Sequence, residues 1–142
     1  MPGRRRFLEL SRVRGEVLVV AHSLGGSALL RYFADDGVPV SITGAFMLAA
    51  PAWDGDRWNF DDLKLPSDVG KTLAPIAKLF FYHCRDDNTV PFAHLALHQS
   101  RIPQAVARAF DSGGHQFAGE LSSIAADIRG DREADRVTHS RG

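Results

Sequence analysis

The sequence predicts an α/β domain with a mostly parallel sheet of about four strands and helices on both faces. Three observations predict it. Short apolar runs alternate with segments of helical spacing along the chain. The runs are near-continuously apolar, as in strands covered on both faces. Ser23, a loop carrying Trp53, Asp86, Asp87 and His115 all fall just past the ends of those runs. In open parallel sheets function gathers at the carboxyl ends of strands.

The elements follow in order. Residues 1–15 are charged, with weak helical spacing through Phe7, Leu8, Leu10 and Val13, and Gly15 punctuates them. Val17-Leu18-Val19-Val20 reads as a short buried strand, because three of its four apolar residues are β-branched. The stretch starting at Ala28 reads as a helix, ended by Asp35-Asp36-Gly37 and Pro39. Ile42 to Ala50 is a second strand, leading into a polar loop that carries Trp53, Trp58 and Phe60. Asp61 to Leu73 reads as a short helix, interrupted or preceded by Pro66, and Ile76 to Cys84 as a third strand. Arg85 to Thr89 form a turn, after which Pro91 opens a helix through about Ser100. Ala105 to Phe110 is the fourth strand, Ser112 to His115 a loop, and Phe117 to Ile128 a last helix. Residues 1–15 and the charged residues 130–142 are expected to be poorly ordered.

With 142 residues the chain is expected to form one domain with a proper core. Its zero net charge argues against electrostatic binding to nucleic acid or membrane. A single cysteine, Cys84, excludes a disulfide framework and fits a reducing compartment. No apolar run approaches a membrane span, and the run after Arg4-Arg5-Arg6 is too short and too charged for a signal-peptide core. A cytoplasmic location is the expectation.

The chemistry centres on Ala21-His22-Ser23-Leu24-Gly25-Gly26. A serine between small residues at a strand-to-helix elbow is held in a strained conformation, its hydroxyl above the sheet edge. Small neighbours let strand and helix approach closely, and Ala21 adds only a methyl group. The Leu24 N–H, at the helix start, is a candidate oxyanion donor backed by the helix dipole. A serine hydroxyl needs a base to take its proton, and a histidine base needs an acid on its far nitrogen. Ser23, Asp87 and His115 supply the three in that order. Asp86 competes with Asp87 for the acid role, and motif register favours Asp87.

Val-Val-Ala-His-Ser-Leu-Gly-Gly, His-Cys-Arg-Asp-Asp-Asn-Thr-Val-Pro-Phe and Ser-Gly-Gly-His-Gln-Phe resemble the three signatures of the α/β-hydrolases. More narrowly, the chain resembles the small, nearly capless serine hydrolases akin to the retinoblastoma-binding serine hydrolase. The likeness spans about Val17 to Arg129. It implies Ser23 as nucleophile, Asp87 as acid, His115 as base and Leu24 as one oxyanion donor. It also implies that the strand before Ser23 is the fifth of an eight-stranded sheet. The earlier strands, and the loop that supplies a second oxyanion N–H in the family, have no counterpart in this sequence. Val17 to Val20 are then expected as an apolar edge open to a second copy of the chain. Either the reading frame begins late or the gene is truncated, or the short form works as a dimer or as a catalytically silent interaction module; the first account is favoured.

The expected activity is hydrolysis of small ester-like acyl substrates through an acyl-enzyme, with no metal and no organic cofactor. Trp53 and Trp58 are candidates for the substrate pocket. His94 and His98 share a helix face, but without a carboxylate or thiolate cluster they are not expected to hold metal.

Overall fold

The computed structural model describes residues 15–54 and 57–130. Expectations for the chain ends fall outside these residues, apart from Gly15 and Gly130. The order is β1 (Val17–His22), α1 (Leu24–Asp36), β2 (Ile42–Leu48), α2 (Val69–Thr72), β3 (Lys78–Cys84), α3 (His94–Arg101), β4 (Val106–Phe110) and α4 (Leu121–Arg129). Single 3₁₀ turns at Asp61–Leu63 and Gly114–Gln116 punctuate the connections. The four strands form one sheet in the order β1-β2-β3-β4. Every adjacent pair is parallel, with Val20 opposite Phe46, Phe46 opposite Phe80 and Phe80 opposite Val106.

That order decides where the helices go. Right-handed crossovers that always step in one direction leave their helices on one face of the sheet. Leu29, Leu30 and Phe33 of α1, Val69 of α2 and Leu95 of α3 accordingly pack with Ala45, Met47, Leu79 and Phe81 into one core. The alternate strand residues, Phe46, Leu48, Tyr82 and Cys84, face the other way and meet Phe117 and Ile124 of the α4 region. On that second face Phe46, Phe80, Tyr82 and Phe110 stack in a row across three strands. Each large apolar side chain so buried contributes about 1.5–3 kcal/mol.

Polar contacts tie the outer elements down. Asp127 of α4 accepts two hydrogen bonds from the Arg108 guanidinium, at 2.7 and 2.9 Å, and a third from the Tyr82 hydroxyl at 2.9 Å. This buried carboxylate fastens α4 to β3 and β4. Gly130 closes α4 in the left-handed conformation.

Three boundaries differ from the sequence reading. Helix α1 begins at Leu24 and not Ala28, because the chain turns within the single residue Ser23. The predicted helix over 61–73 splits into the Asp61–Leu63 turn and α2, with Pro66 between them. Proline disfavours helical backbone in the residue before it, which accounts for the break. The last helix starts at Leu121 because Phe117 is left-handed, with φ 58°, and fully buried.

Strand β1 lies at the sheet edge and, among the described residues, pairs only with β2. Val20 there is 50% exposed and none of Val17 to Val20 is fully buried, so the strand read from its residues as buried is half covered at a sheet edge. No helix among the described residues is long and apolar enough to cross a membrane.

Candidate active site

Ser23 has φ 56° and ψ −125°, a backbone conformation that costs about 1–3 kcal/mol for a non-glycine residue. Two contacts hold it there. Its N–H donates to Leu48 O at 2.7 Å, and its carbonyl accepts the Gly26 N–H at 2.9 Å. The close approach falls at Gly26, where a Cβ would come within 2.8 Å of the Ala50 Cβ, and not at Gly25, the small residue two positions past Ser23, where a Cβ would meet nothing within 4 Å. Leu24 is the first residue of α1, so its N–H is among the amides with no intrahelical acceptor. Its side chain is exposed.

The β3 and β4 ends bring the partners. His115 Nε2 lies 2.9 Å from Ser23 Oγ, and its Nδ1 lies 2.9 Å from Asp87 Oδ2. A carboxylate only accepts, so the proton sits on Nδ1 and leaves Nε2 free to take the serine proton. The Asp87 carboxyl is 0% exposed and the imidazole 12%. Asp87 Oδ1 accepts the Thr89 and Val90 amides at 2.8 and 2.9 Å. Burial alone would raise the Asp87 pKa. The hydrogen bonds from His115, Val90 and Thr89 outweigh it and hold the group below the usual aspartate value.

Asp86, the rival for the acid role, faces the other way. Its two oxygens accept the Gly114 N–H at 2.8 Å and the Gly113 N–H at 3.3 Å. It fastens the loop that carries His115. Gly113 (φ 128°) and Gly114 (φ 66°) give that loop its bend. His22 Nε2–H donates to the His115 carbonyl at 2.8 Å, clamping the same loop from the β1 side. Nothing in the sequence signals this bond, which spans ninety-three residues of separation. His83 was missed as well: buried in β3, its Nε2 lies 2.9 Å from Val90 O and 3.2 Å from Asp87 Oδ2.

Cys84 is buried, and burial first, then Asp86, Glu120 and Asp87, raises its thiol pKa to about 11. A thiol so protonated is no nucleophile. His94 and His98 are also buried and hold the backbone after β2. Ala52 N–H donates to His94 Nδ1 at 2.8 Å, and His98 Nε2–H donates to Ala50 O at 2.8 Å. Burial lowers both pKa values, that of His98 to about 4. No cluster of three metal-ligating side chains occurs among the described residues.

Trp53 and Trp58 pack edge to face, with ring centroids 5.4 Å apart. Trp53 also meets Phe60, and Trp58 meets His94. Trp53 lines an open pocket of about 260 Å³, solvent at its mouth included, with Ser27, Leu30, Pro51, His98 and Arg101. Its indole Nε1 is buried with no hydrogen-bond partner among the described residues. The ring contacts of the two tryptophans do not reach His115.

Comparison with known proteins bears on the family and the fold. Residues 7–118 match the family model described as "Serine hydrolase". No curated protein matches the chain. Among solved structures, a serine hydrolase from the polyaromatic-hydrocarbon-degrading bacterium Cycloclasticus zankles superposes with a TM-score of 0.67 at 13% identity, over 89% of this chain and 66% of its own. An esterase domain from Rhodothermus marinus gives 0.58 at 18%, over 92% and 64%. The mouse α/β-hydrolase domain-containing protein 10 gives 0.60 at 15%, over 94% and 68%. At these identities the likeness is one of fold. The chain spans about two thirds of the length of each. The matched family model and the shared fold together assign this chain to the serine hydrolase family, within the α/β-hydrolase fold.

Proposed function

We propose that the protein cleaves small ester-like acyl substrates through an acyl-enzyme. The observation that carries the reading is the unbroken chain Ser23 Oγ to His115 Nε2 and His115 Nδ1 to Asp87 Oδ2, each link 2.9 Å. In the first half-reaction His115 takes the Ser23 proton as Oγ attacks the acyl carbon, and Asp87 stabilises the imidazolium. The Leu24 N–H, with the α1 dipole behind it, receives the developing oxyanion. His115 then gives its proton to the departing alcohol. In the second half-reaction it activates water, which releases the acid and restores Ser23. The sequence needs no metal or organic cofactor. The apolar wall for the acyl group is assigned to Trp53 and Trp58, whose loop follows β2 at the same end of the sheet. The buried single cysteine suits a reducing compartment, and the cytoplasm is the proposed location.

Labelling with a fluorophosphonate probe, on the chain and on Ser23→Ala, tests the reading. Labelling that disappears in the variant is expected. A folded, soluble chain that takes no label, or a variant that keeps it, would sink the proposal.

A second reading has one observation in its favour. The apolar edge of β1, with Val20 half exposed, suits pairing with β1 of another copy. A dimer by light scattering that dissociates on Val20→Lys supports it; a monomer at high concentration removes it.

A further inference from the structure

The proposed mechanism uses one histidine on Asp87, yet the fold puts two there. We infer that His83 is a positioning residue for the triad, setting the charge and orientation that Asp87 presents to His115. This inference rests on the triad reading above.

His83 is 1% exposed and lies in β3, one strand position before buried Cys84. Its Nε2 faces two acceptors, Val90 O at 2.9 Å and Asp87 Oδ2 at 3.2 Å. Neither can donate, so Nε2 carries a hydrogen. That hydrogen is committed to the Val90 carbonyl. What reaches Asp87 Oδ2 is therefore the positive end of the N–H dipole, at short range and away from solvent. The same Val90 gives its own N–H to Asp87 Oδ1 at 2.9 Å. His83 thus grips the far side of the turn that holds the carboxylate, while bearing directly on the oxygen that His115 uses.

The surroundings are otherwise quiet. The Phe92 ring meets His83 edge-on at 6.0 Å. The ionisable groups bearing on it are Asp87 from the turn and His94 and His98 from α3, and burial keeps those two histidines below the usual histidine range. Neither takes up charge near neutrality, so Asp87 is the charge His83 answers to.

A positioning role predicts a change that packing alone would not produce. Without the Nε2 dipole, Asp87 presents a less balanced charge and holds the proton on His115 more firmly. In His83→Phe, which keeps a ring but loses the donor, the acid limb of kcat/KM should rise by about half a pH unit. The rate itself should fall by about tenfold as the carboxylate loosens. His83→Gln, whose amide places an N–H near the Nε2 position, should restore both. A His83→Phe protein that is less stable but keeps the wild-type acid limb and rate would overturn the inference.

One measurement needs no folded variant. In wild-type protein labelled with ¹⁵N-histidine, His83 should show a hydrogen on Nε2. Its signals should shift when Ser23 is phosphonylated and again across the titration of His115. A His83 signal indifferent to both events overturns the inference while the triad reading stands. Failure of the wild type to take the phosphonate would instead remove the triad reading, and the titration would still report on His83.

Discussion

Asp87→Asn reverses the tautomer of the base, and the structure says why the amide cannot simply turn around. Asp87 Oδ1 accepts two backbone amides, from Thr89 and Val90. The asparagine carbonyl must occupy that position, or the Thr89 and Val90 amides both lose their acceptor, at about 1 kcal/mol or more for the part-buried Val90 N–H. Its NH₂ then stands where Oδ2 was, facing His115 Nδ1. An NH₂ needs an acceptor, so Nδ1 gives up its proton and Nε2 takes one, now aimed at Ser23 Oγ. A base already protonated on that nitrogen cannot receive the serine proton. The equivalent reversal in a Ser-His-Asp enzyme costs about 10⁴ in kcat, or about 5.5 kcal/mol of transition-state stabilisation. Asp86→Asn is the matched control, because it loosens one of two loop contacts and leaves the triad intact. Its expected loss is about tenfold or less. The assay is the rate of fluorophosphonate labelling, followed by short-chain ester turnover. An Asp87→Asn protein within about tenfold of wild type, or an Asp86→Asn protein that loses more, would refute the assignment of the acid.

Two further outcomes concern stability. His98 has a folded pKa of about 4 against about 6.5 unfolded, so between those values the unfolded chain binds the extra proton. Stability should therefore fall as pH drops from about 6.5 to about 4, by roughly 3 kcal/mol from this residue, and level off below. Urea unfolding at several pH values checks it, and His98→Gln, which can still donate to Ala50 O, should flatten the slope. The two elbow glycines should behave oppositely. Gly26→Ala drives a Cβ into Ala50 and should cost about 1–3 kcal/mol, whereas Gly25→Ala meets nothing within 4 Å and should stabilise α1 by up to about 1 kcal/mol. Thermal melts of the pair decide this, and equal shifts would contradict the close approach.

The strands, the elbow and the residues Ser23, Asp87 and His115 that the fold brings together were legible because each is written locally. β-Branched runs mark the strands, and small residues flank Ser23. The acid precedes Val90-Pro91, and two glycines precede His115. The choice between Asp86 and Asp87 rested on motif register alone. The structure separates them by what each oxygen accepts. Less legible were contacts that exist only after the sheet has brought distant segments together. His22 reaching the His115 carbonyl is one such contact, and His94 and His98 pinning the backbone after β2 are another. The histidine pair on α3 shares a helix face, but spacing alone does not say which way that face turns. Here it turns inward, to backbone partners. His83 gave no signal at all, since a histidine inside an apolar strand reads the same whether or not a carboxylate waits beyond the turn.

The order of the triad along the chain has a consequence for the protein's synthesis. Ser23 is made before His115, and ninety-two residues separate the two. At about 5–20 residues per second, the ribosome spends roughly 5–20 seconds on that interval. Throughout it the serine is an ordinary alcohol, since the imidazole that would accept its proton has not been polymerised. On the proposed mechanism the nascent chain therefore carries an unarmed nucleophile past the esters and thioesters of its surroundings. Reactivity arrives only once β4 has paired with β3 and the last loop has closed, so probe labelling should mark finished chains and pass over those still on the ribosome.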